Sequence, residues 1–274
     1  MTDKYCVIGN PIAHSKSPEI HAAFAAAAGQ DLGYERCLAP IDGFTATVQR
    51  LVAEGYRGAN VTVPFKLEAA AIATRLSARA QLAGAVNTLR FENGEIVGDN
   101  TDGPGLVADI VKNAGVALAG KRVLLLGAGG AARGIILPFL EQGPAAIVIA
   151  NRTRATADAL VGQFAAHAVH PGQVSACGFD AIDGVFDVVV NATSASLAAS
   201  MPPVPASAFG PDTLAVDIMY GKAPSQFMEF AALHGAGVRD GLGMLVEQAA
   251  EAFTLWRGVR PETLPVLVQL RAAL

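Results

Sequence analysis

Apolar residues in the first hundred positions come in short runs, separated by clusters of turn formers. Residues 5–8 are apolar and stop at Gly9-Asn10-Pro11, which predicts a strand ended by a turn. Ser17-Pro18 predicts a helix start, with serine as N-cap and proline at the first helical position. Ile20, Phe24 and Ala27 then fall on one face, and Gly29 closes the helix. Residues 34–38 read as a strand, 44–54 as a helix ending at Gly55, and 58–63 as a strand stopped by Pro64, which can open another helix. Such units predict a small, mostly parallel sheet covered by helices. Residues 86–91 and 95–97 flank Asn93-Gly94, a two-residue hairpin signal. The polar cluster Gly98-Asp99-Asn100-Thr101-Asp102-Gly103 follows, and a domain boundary is expected there.

The second half has a different texture. Continuous apolar strands are expected at 122–126, 145–150, 185–190 and 214–218, with helices from the glycine-rich run after Leu126 to about Leu140 and over 156–166. Alternation of buried strands with helices predicts a doubly wound parallel sheet. A last helix is expected from about Met244 through Trp256.

Composition narrows the function classes. The chain has 274 residues, 52% hydrophobic and 16% charged, with a net charge of −4. That is too apolar and too weakly charged for intrinsic disorder. No run of Lys or Arg offers a basic stripe, so a nucleic-acid partner is not expected. The longest stretch without acidic or basic residues lies between Asp187 and Asp212. It holds Asn191, several serines, Pro202, Pro203, Pro205 and Pro211, and makes a poor membrane span. No signal peptide is expected from the Met1-Thr2-Asp3-Lys4 start. Cys6, Cys37 and Cys177 are an odd set without metal-type spacing and read as thiols in a reducing cytoplasm. His167 and His170 lack acidic or thiol partners in sequence, so no metal is expected.

Gly127, Gly129 and Ala132 match G-x-G-x-x-[G/A] between an apolar strand and a helix. In such a turn the first glycine permits the sharp bend, and the second lets backbone approach a pyrophosphate. The small third residue lets helix pack on sheet, and the free N–H groups of the helix start face the phosphates. Ala128, Gly130 and Ala131 complete the loop. The next strand ends at Asn151-Arg152-Thr153 rather than at the Asp or Glu that binds an NAD ribose, so nothing repels a 2′-phosphate. Arg152 can bind that phosphate and stack on adenine, and Thr153 can donate a hydroxyl; the pattern favours NADP(H).

In the strand over 58–63, Ala59, Val61 and Val63 face one way, and Asn60 and Thr62 the other. Polar side chains on a buried strand need partners or a ligand. Lys66, Asn87 and Asp102 taken singly read equally as surface lysine, turn former and helix cap. A specific reading comes from eight motifs occurring in order. They are Pro11-Ile12-x-His14-Ser15-Lys16-Ser17-Pro18, Asn60-Val61-Thr62-Val63-Pro64-Phe65-Lys66, Gly84-Ala85-Val86-Asn87-Thr88, Gly98 to Gly103, Gly127 to Ala131, Asn151-Arg152-Thr153, Asn191-Ala192-Thr193-Ser194, and Asp240-Gly241-Leu242-Gly243-Met244-Leu245 through Gln248-Ala249-Ala250. Over essentially its whole length the chain resembles the shikimate dehydrogenases.

The resemblance implies NADPH-dependent reduction of 3-dehydroshikimate to shikimate, on the way to chorismate and the aromatic amino acids. It implies a two-domain α/β fold: a discontinuous substrate domain (1–101 plus 239–274), a Rossmann-type NADP-binding domain (102–238), and a cleft between them. By position, Lys66 and Asp102 correspond to the catalytic pair, and Ser15 and Ser17 to ligands of the substrate carboxylate. Asn60, Thr62, Asn87 and Gln248 correspond to ligands of its hydroxyls. Tyr220 and Met244 would lie between substrate and nicotinamide with Gly241 nearby, and Thr193 and Met219 along the cofactor path. His14 is expected to fix its loop. A cytoplasmic monomer or homodimer without metal is implied. Two positions depart from the family pattern: Thr156 stands where a second basic residue is often found, and Ala195-Ser196 replaces a frequent glycine. A broader quinate/shikimate dehydrogenase, usually NAD-linked, fits Asn151-Arg152 less well. A non-catalytic sensor has no need of Lys66 with Asp102.

Overall fold

A computed structural model describes residues 2–193, 195 and 200–274. Ser194 and Ser196, which belong to the Thr-Ser motif and its expected departure in loop shape, lie outside the described residues. The chain forms two compact units, one of residues 1–105 and 246–272, the other of residues 106–245 and 273–274.

The first unit contains β1 (Asp3–Gly9), α1 (Ser17–Ala28), β2 (Leu32–Leu38), α2 (Phe44–Ala53), β3 (Tyr56–Val61), α3 (Lys66–Ile72), β4 (Arg75–Leu76), α4 (Ala78–Ala83), β5 (Thr88–Glu92) and β6 (Glu95–Asp99). Its sheet runs β2-β1-β3-β5-β6-β4. Pairs β1–β2, β1–β3 and β4–β6 are parallel, whereas β3–β5 and β5–β6 are antiparallel. The sheet is therefore mostly parallel, as expected, with β5 alone running against the other strands. The Asn93-Gly94 hairpin is the reason: it reverses β6 against β5, and β5 itself pairs antiparallel with β3. Asn93 and Gly94 both take positive φ, as the turn demands.

Alternation along the strands sorts the two faces. Cys6, Ile8, Cys37, Ala59, Val61 and Leu89 form one core with Phe44, Val48 and Leu51 of α2 and with Phe65. The opposite face carries Tyr5, Tyr34, Gly58, Asn60 and Thr88. Aromatic residues of α1 and of the last long helix gather there: His21 stacks on Tyr34, Phe24 meets Phe253 edge-on, and Tyr5 stacks on Trp256. Gly58 is required on this face, because a Cβ there would sit 2.6 Å from both Leu89 O and Trp256 Nε1.

Two local expectations are corrected. Ser17 is the first helical residue of α1, not its N-cap; Lys16 precedes it and no side chain caps the helix in the usual sense. Ser15 Oγ instead accepts from Ser17 N at 3.3 Å. Pro64 does not open α3: residues 63–65 form a turn closed by Phe65 N donating to Thr62 O, and the helix starts at Lys66.

α5 (Asp102–Ala108) leads through a π turn (Asp109–Asn113) into the second unit. There β7 (Arg122–Leu126), α6 (Gly130–Leu140), β8 (Ala146–Ala150), α7 (Arg154–Phe164), β9 (Val174–Cys177), β10 (Val188–Asn191), β11 (Leu214–Asp217), α8 (Gln226–Leu233) and β12 (Gly237–Arg239) follow. The sheet order is β12-β11-β10-β7-β8-β9, with every pair parallel. This is the doubly wound dinucleotide order, with the chain reversing direction across the sheet between β7 and β10. Short β9 and β12 at its edges carried no clear pattern in sequence. α9 (Leu242–Arg257) returns the chain to the first unit, where α10 (Leu264–Ala272) ends it. Among the described residues no helix is long and apolar enough to cross a membrane.

Candidate active site

Register builds the polar cluster of the first unit. Asn60 pairs with Thr88 across β3 and β5, and Thr88 pairs with Asp99 across β5 and β6. Asn87, just before β5, and Asn100-Thr101-Asp102, just after β6, are thereby neighbours. Asn87 is buried and its amide is engaged at both ends. Its Oδ1 accepts from Thr101 N at 2.8 Å, and its Nδ2 donates to Asp102 Oδ1 at 2.8 Å, to Thr101 Oγ1 at 2.9 Å and to Gln248 Oε1 at 3.3 Å. Lys66 Nζ donates to the other Asp102 oxygen, Oδ2, at 2.6 Å. Asp102 thus holds an ammonium on one oxygen and an amide on the other. The pair is part-buried, with the lysine side chain 31% and the aspartate 13% exposed, so Lys66 keeps an open side toward a ligand.

Gln248 reaches this cluster because α5 and α9 touch backbone to backbone. A Cβ on Gly105 would meet Gln248 N at 2.6 Å and Gln248 Cβ at 2.7 Å, so only glycine admits the approach. Asn60 lies one strand away. Its Nδ2 donates to Thr88 Oγ1 at 3.0 Å and to Asn87 O at 3.3 Å, and its Oδ1 accepts from Tyr34 at 2.7 Å. Ser15 Oγ donates to Ser17 Oγ at 3.2 Å at the start of α1. Lys66, Asp102, Asn87, Gln248 and Asn60 therefore share one hydrogen-bonded network. Thr62, half-buried past the end of β3, stands apart from it. His14 is exposed in the loop before α1. Thr88, Thr101 and Tyr34 belong to the network without having been singled out in sequence. Nothing distinguishes a threonine or tyrosine in a strand from a packing residue until the register is known.

In the second unit a cavity of about 620 Å³ is lined by Gly127, Ala128, Gly129, Gly130, Ala131, Asn151, Arg152, Ala192 and Thr193, among others. Gly127 has φ +102°, and a Cβ there would press on Thr193 Cγ2 at 3.1 Å and Ala192 O at 3.2 Å. By contrast, a Cβ on Gly129 or Gly130 would meet nothing within 4 Å. The backbone at the start of α6 thus faces open space, and Gly129, before the first helical residue, supplies no side-chain cap. Uncapped N–H groups beside a cavity are what a pyrophosphate needs. Arg152 is exposed on the same cavity and pairs with no carboxylate among the described residues. Asn151 Nδ2 donates to Thr153 O at 2.9 Å, which holds the turn that carries Arg152. Thr153 precedes α7 and does not line the cavity. Arg154 turns to Asp158 at 3.5 Å instead. The residues present fit an NADP-type dinucleotide. Phe179, Met201 and Pro202 also line the cavity; sequence offered no signal for them.

A second cavity of about 290 Å³ is lined by Met219, Tyr220, Gly221, Ser225, Met228 and Asp240, with others. Tyr220 is thus carried by the second unit, as are Gly241 and Met244. Gly241 N donates to Met219 O at 3.0 Å, and any Cβ on Gly241 would collide with Ile218 O. Met244 is buried. No cluster of His, Cys, Asp or Glu among the described residues is arranged to hold a metal.

Three family models match: the shikimate dehydrogenase substrate-binding domain over residues 7–89, shikimate/quinate 5-dehydrogenase over 109–202, and the shikimate 5′-dehydrogenase C-terminal domain over 241–269. A shikimate dehydrogenase (NADP⁺) of Janthinobacterium sp. (strain Marseille) is 63% identical over 98% of this chain and 97% of its own. Among solved structures, an Ael1 enzyme from Pseudomonas putida is 51% identical with a TM-score of 0.94, covering 98% of both chains. The shikimate 5-dehydrogenase of Thermus thermophilus, solved in complex with NADP(H) and shikimate, is 32% identical with a TM-score of 0.86 over 100% of both chains.

Proposed function

Because the chain belongs to the shikimate dehydrogenase family, we infer that it catalyses the NADPH-dependent, reversible reduction of 3-dehydroshikimate to shikimate, the step that leads on to chorismate and the aromatic amino acids. The observation that carries this reading in the chain itself is the Lys66–Asp102 pair at 2.6 Å with one side of the lysine open.

Bound NADPH supplies the hydride, which adds to the C3 carbonyl carbon of the substrate. Negative charge then develops on the carbonyl oxygen, and the Lys66 ammonium stabilises it and delivers the proton that completes the hydroxyl. In the reverse direction the Lys66 amine takes that proton back. Asp102 keeps the ammonium in place, and Asn87 keeps Asp102 from rotating away. We assign substrate binding to the first unit. Ser15 and Ser17 hold the carboxylate, and Asn60, Thr62, Asn87 and Gln248 hold the hydroxyls. The second unit takes the cofactor. Gly127, Ala128, Gly129, Gly130 and Ala131 receive its pyrophosphate, and Asn151, Arg152 and Thr153 its 2′-phosphate and adenine. Thr193, Met219, Gly241 and Met244 line the way to the nicotinamide, with Tyr220 on the substrate side. A guanidinium without a carboxylate partner among the described residues, at the end of β8 where an NAD site carries a carboxylate, supports NADP(H) over NAD(H). The odd set of three thiols supports work in a reducing cytoplasm.

Purified protein assayed with shikimate or quinate, each with NADP⁺ or NAD⁺, tests the reading. Turnover is expected to be fastest with shikimate and NADP⁺. No turnover of that pair, or a preference for quinate with NAD⁺, would overturn it.

A further inference from the structure

Tyr34 sits on β2, two strands from Asn60, because β1 lies between β2 and β3. Adjacent strands are about 4.8 Å apart, so a side chain as long as tyrosine is needed to span the gap. Its hydroxyl donates to Asn60 Oδ1 at 2.7 Å. Burial drives the Tyr34 hydroxyl well above its ordinary pKa, so it remains a donor throughout the working pH range. Beneath it the His21 ring stacks at 4.2 Å and 8°. Burial holds that imidazole neutral at a pKa of about 3. Asn60 opposes this in part, yet neither ring nitrogen has a partner in hydrogen-bonding geometry. His21 thus offers Tyr34 a flat apolar support and does not compete for its proton.

This bond has a directional consequence. Both hydrogens of the Asn60 amide are engaged, by Thr88 Oγ1 and Asn87 O. What Asn60 has left is the second lone pair of Oδ1. An amide flipped end for end would aim N–H groups at the Tyr34 hydroxyl and lose both donor bonds. Asn87 O, which can only accept, fixes the amide orientation, and Tyr34 pins the Oδ1 that results, leaving Asn60 to accept a hydrogen bond from a substrate hydroxyl.

We propose that Tyr34 is a positioning residue for the substrate, a buried hydroxyl that pins Asn60 Oδ1 and so holds its remaining lone pair toward a substrate hydroxyl. The proposal rests on the assignment of Asn60 as a substrate ligand. The test is a double-mutant cycle with Tyr34→Phe and Asn60→Ala, with Asn60→Ser replacing the latter if that variant does not fold. Phenylalanine keeps the stack on His21 and removes only the hydroxyl. Tyr34→Phe is expected to raise the KM for shikimate by about 3–10-fold, the range for one lost hydrogen bond, with the KM for NADP⁺ unchanged. In the double variant the loss should match that of Asn60→Ala alone, because Tyr34 acts through Asn60. An unchanged KM in Tyr34→Phe, or losses that simply add, would overturn the proposal while leaving the substrate assignment intact. An unchanged KM in Asn60→Ala or its replacement would overturn the assignment and the proposal together.

Discussion

Mild acid should destabilise this protein through His21. The residue is fully buried, and Tyr34, Phe24, Phe253 and Trp256 surround it, from β2, α1 and α9. No carboxylate is among these ring contacts to hold a proton on it. Burial lowers the native pKa from 6.5 to about 3. Between these values the unfolded chain binds a proton that the native state refuses. The stabilisation present above pH 6.5 is therefore lost as pH falls toward 3. Going from pH 7 to 5.5 should cost about 1.3 kcal/mol, and to pH 5 about 1.9 kcal/mol, from the unfolded-state titration alone. Urea unfolding at pH 7, 5.5 and 5 measures this. Trp256, the single tryptophan, is a suitable fluorophore, lying 5.3 Å from His21 between ring centroids in the same unit. The control is His21→Phe, which keeps a ring against Tyr34 but cannot titrate. Other groups contribute equally to both proteins, so the difference between their pH slopes isolates His21. Wild type should lose about 1.9 kcal/mol more than the variant at pH 5. Equal losses in the two proteins would show that His21 is protonated in the native state, and the argument from burial would be wrong.

Three perturbations address the chemistry. Lys66→Ala should lower kcat by roughly 10²–10⁴ with little change in shikimate binding; a kcat within about threefold of wild type would remove Lys66 from proton transfer. Arg152→Ala should weaken NADP⁺ use by roughly 10–150-fold and leave NAD⁺ use nearly unchanged, since only NADP⁺ carries the phosphate; equal losses with both would mean that the guanidinium shapes the site rather than reads the phosphate. Ser17→Ala should raise the KM for shikimate roughly tenfold. It should cost no cap stability on melting, because the serine lies inside α1 rather than capping it.

Much of the architecture was legible because local patterns are strong where strands are buried on both faces. The runs that became β7, β8, β10 and β11 have no other stable disposition than the interior of a sheet. The glycine-rich turn after β7 and the Asn-Arg-Thr turn after β8 carry their chemistry in their own composition. The hairpin at Asn93-Gly94 was equally plain, but its effect was not. The one reversed strand of a mostly parallel sheet, β5, lies between β3 and β6, and that placement is chosen by non-local packing. The start of α1 departs from expectation for a similar reason. Ser-Pro satisfies the helix-start rule at either of two registers, and the turn held by Ser15 decides between them.

What the sequence determined by itself was the inventory: which residues can bind phosphate, hold a carboxylate or pass a proton, and which segments carry them. It could not say which of these side chains restrain one another. Asn60, Asn87, Asp102 and Gln248 meet because three strands share one register and because Gly105 lets two helices touch. Tyr34 joins them from β2, its side chain reaching across β1 to Asn60 on β3. Hydrogen bonds act over about 3 Å, while these partners are tens of residues apart along the chain. Only the folded backbone brings such groups within range, and so only the tertiary structure decides how a polar strand becomes an oriented site.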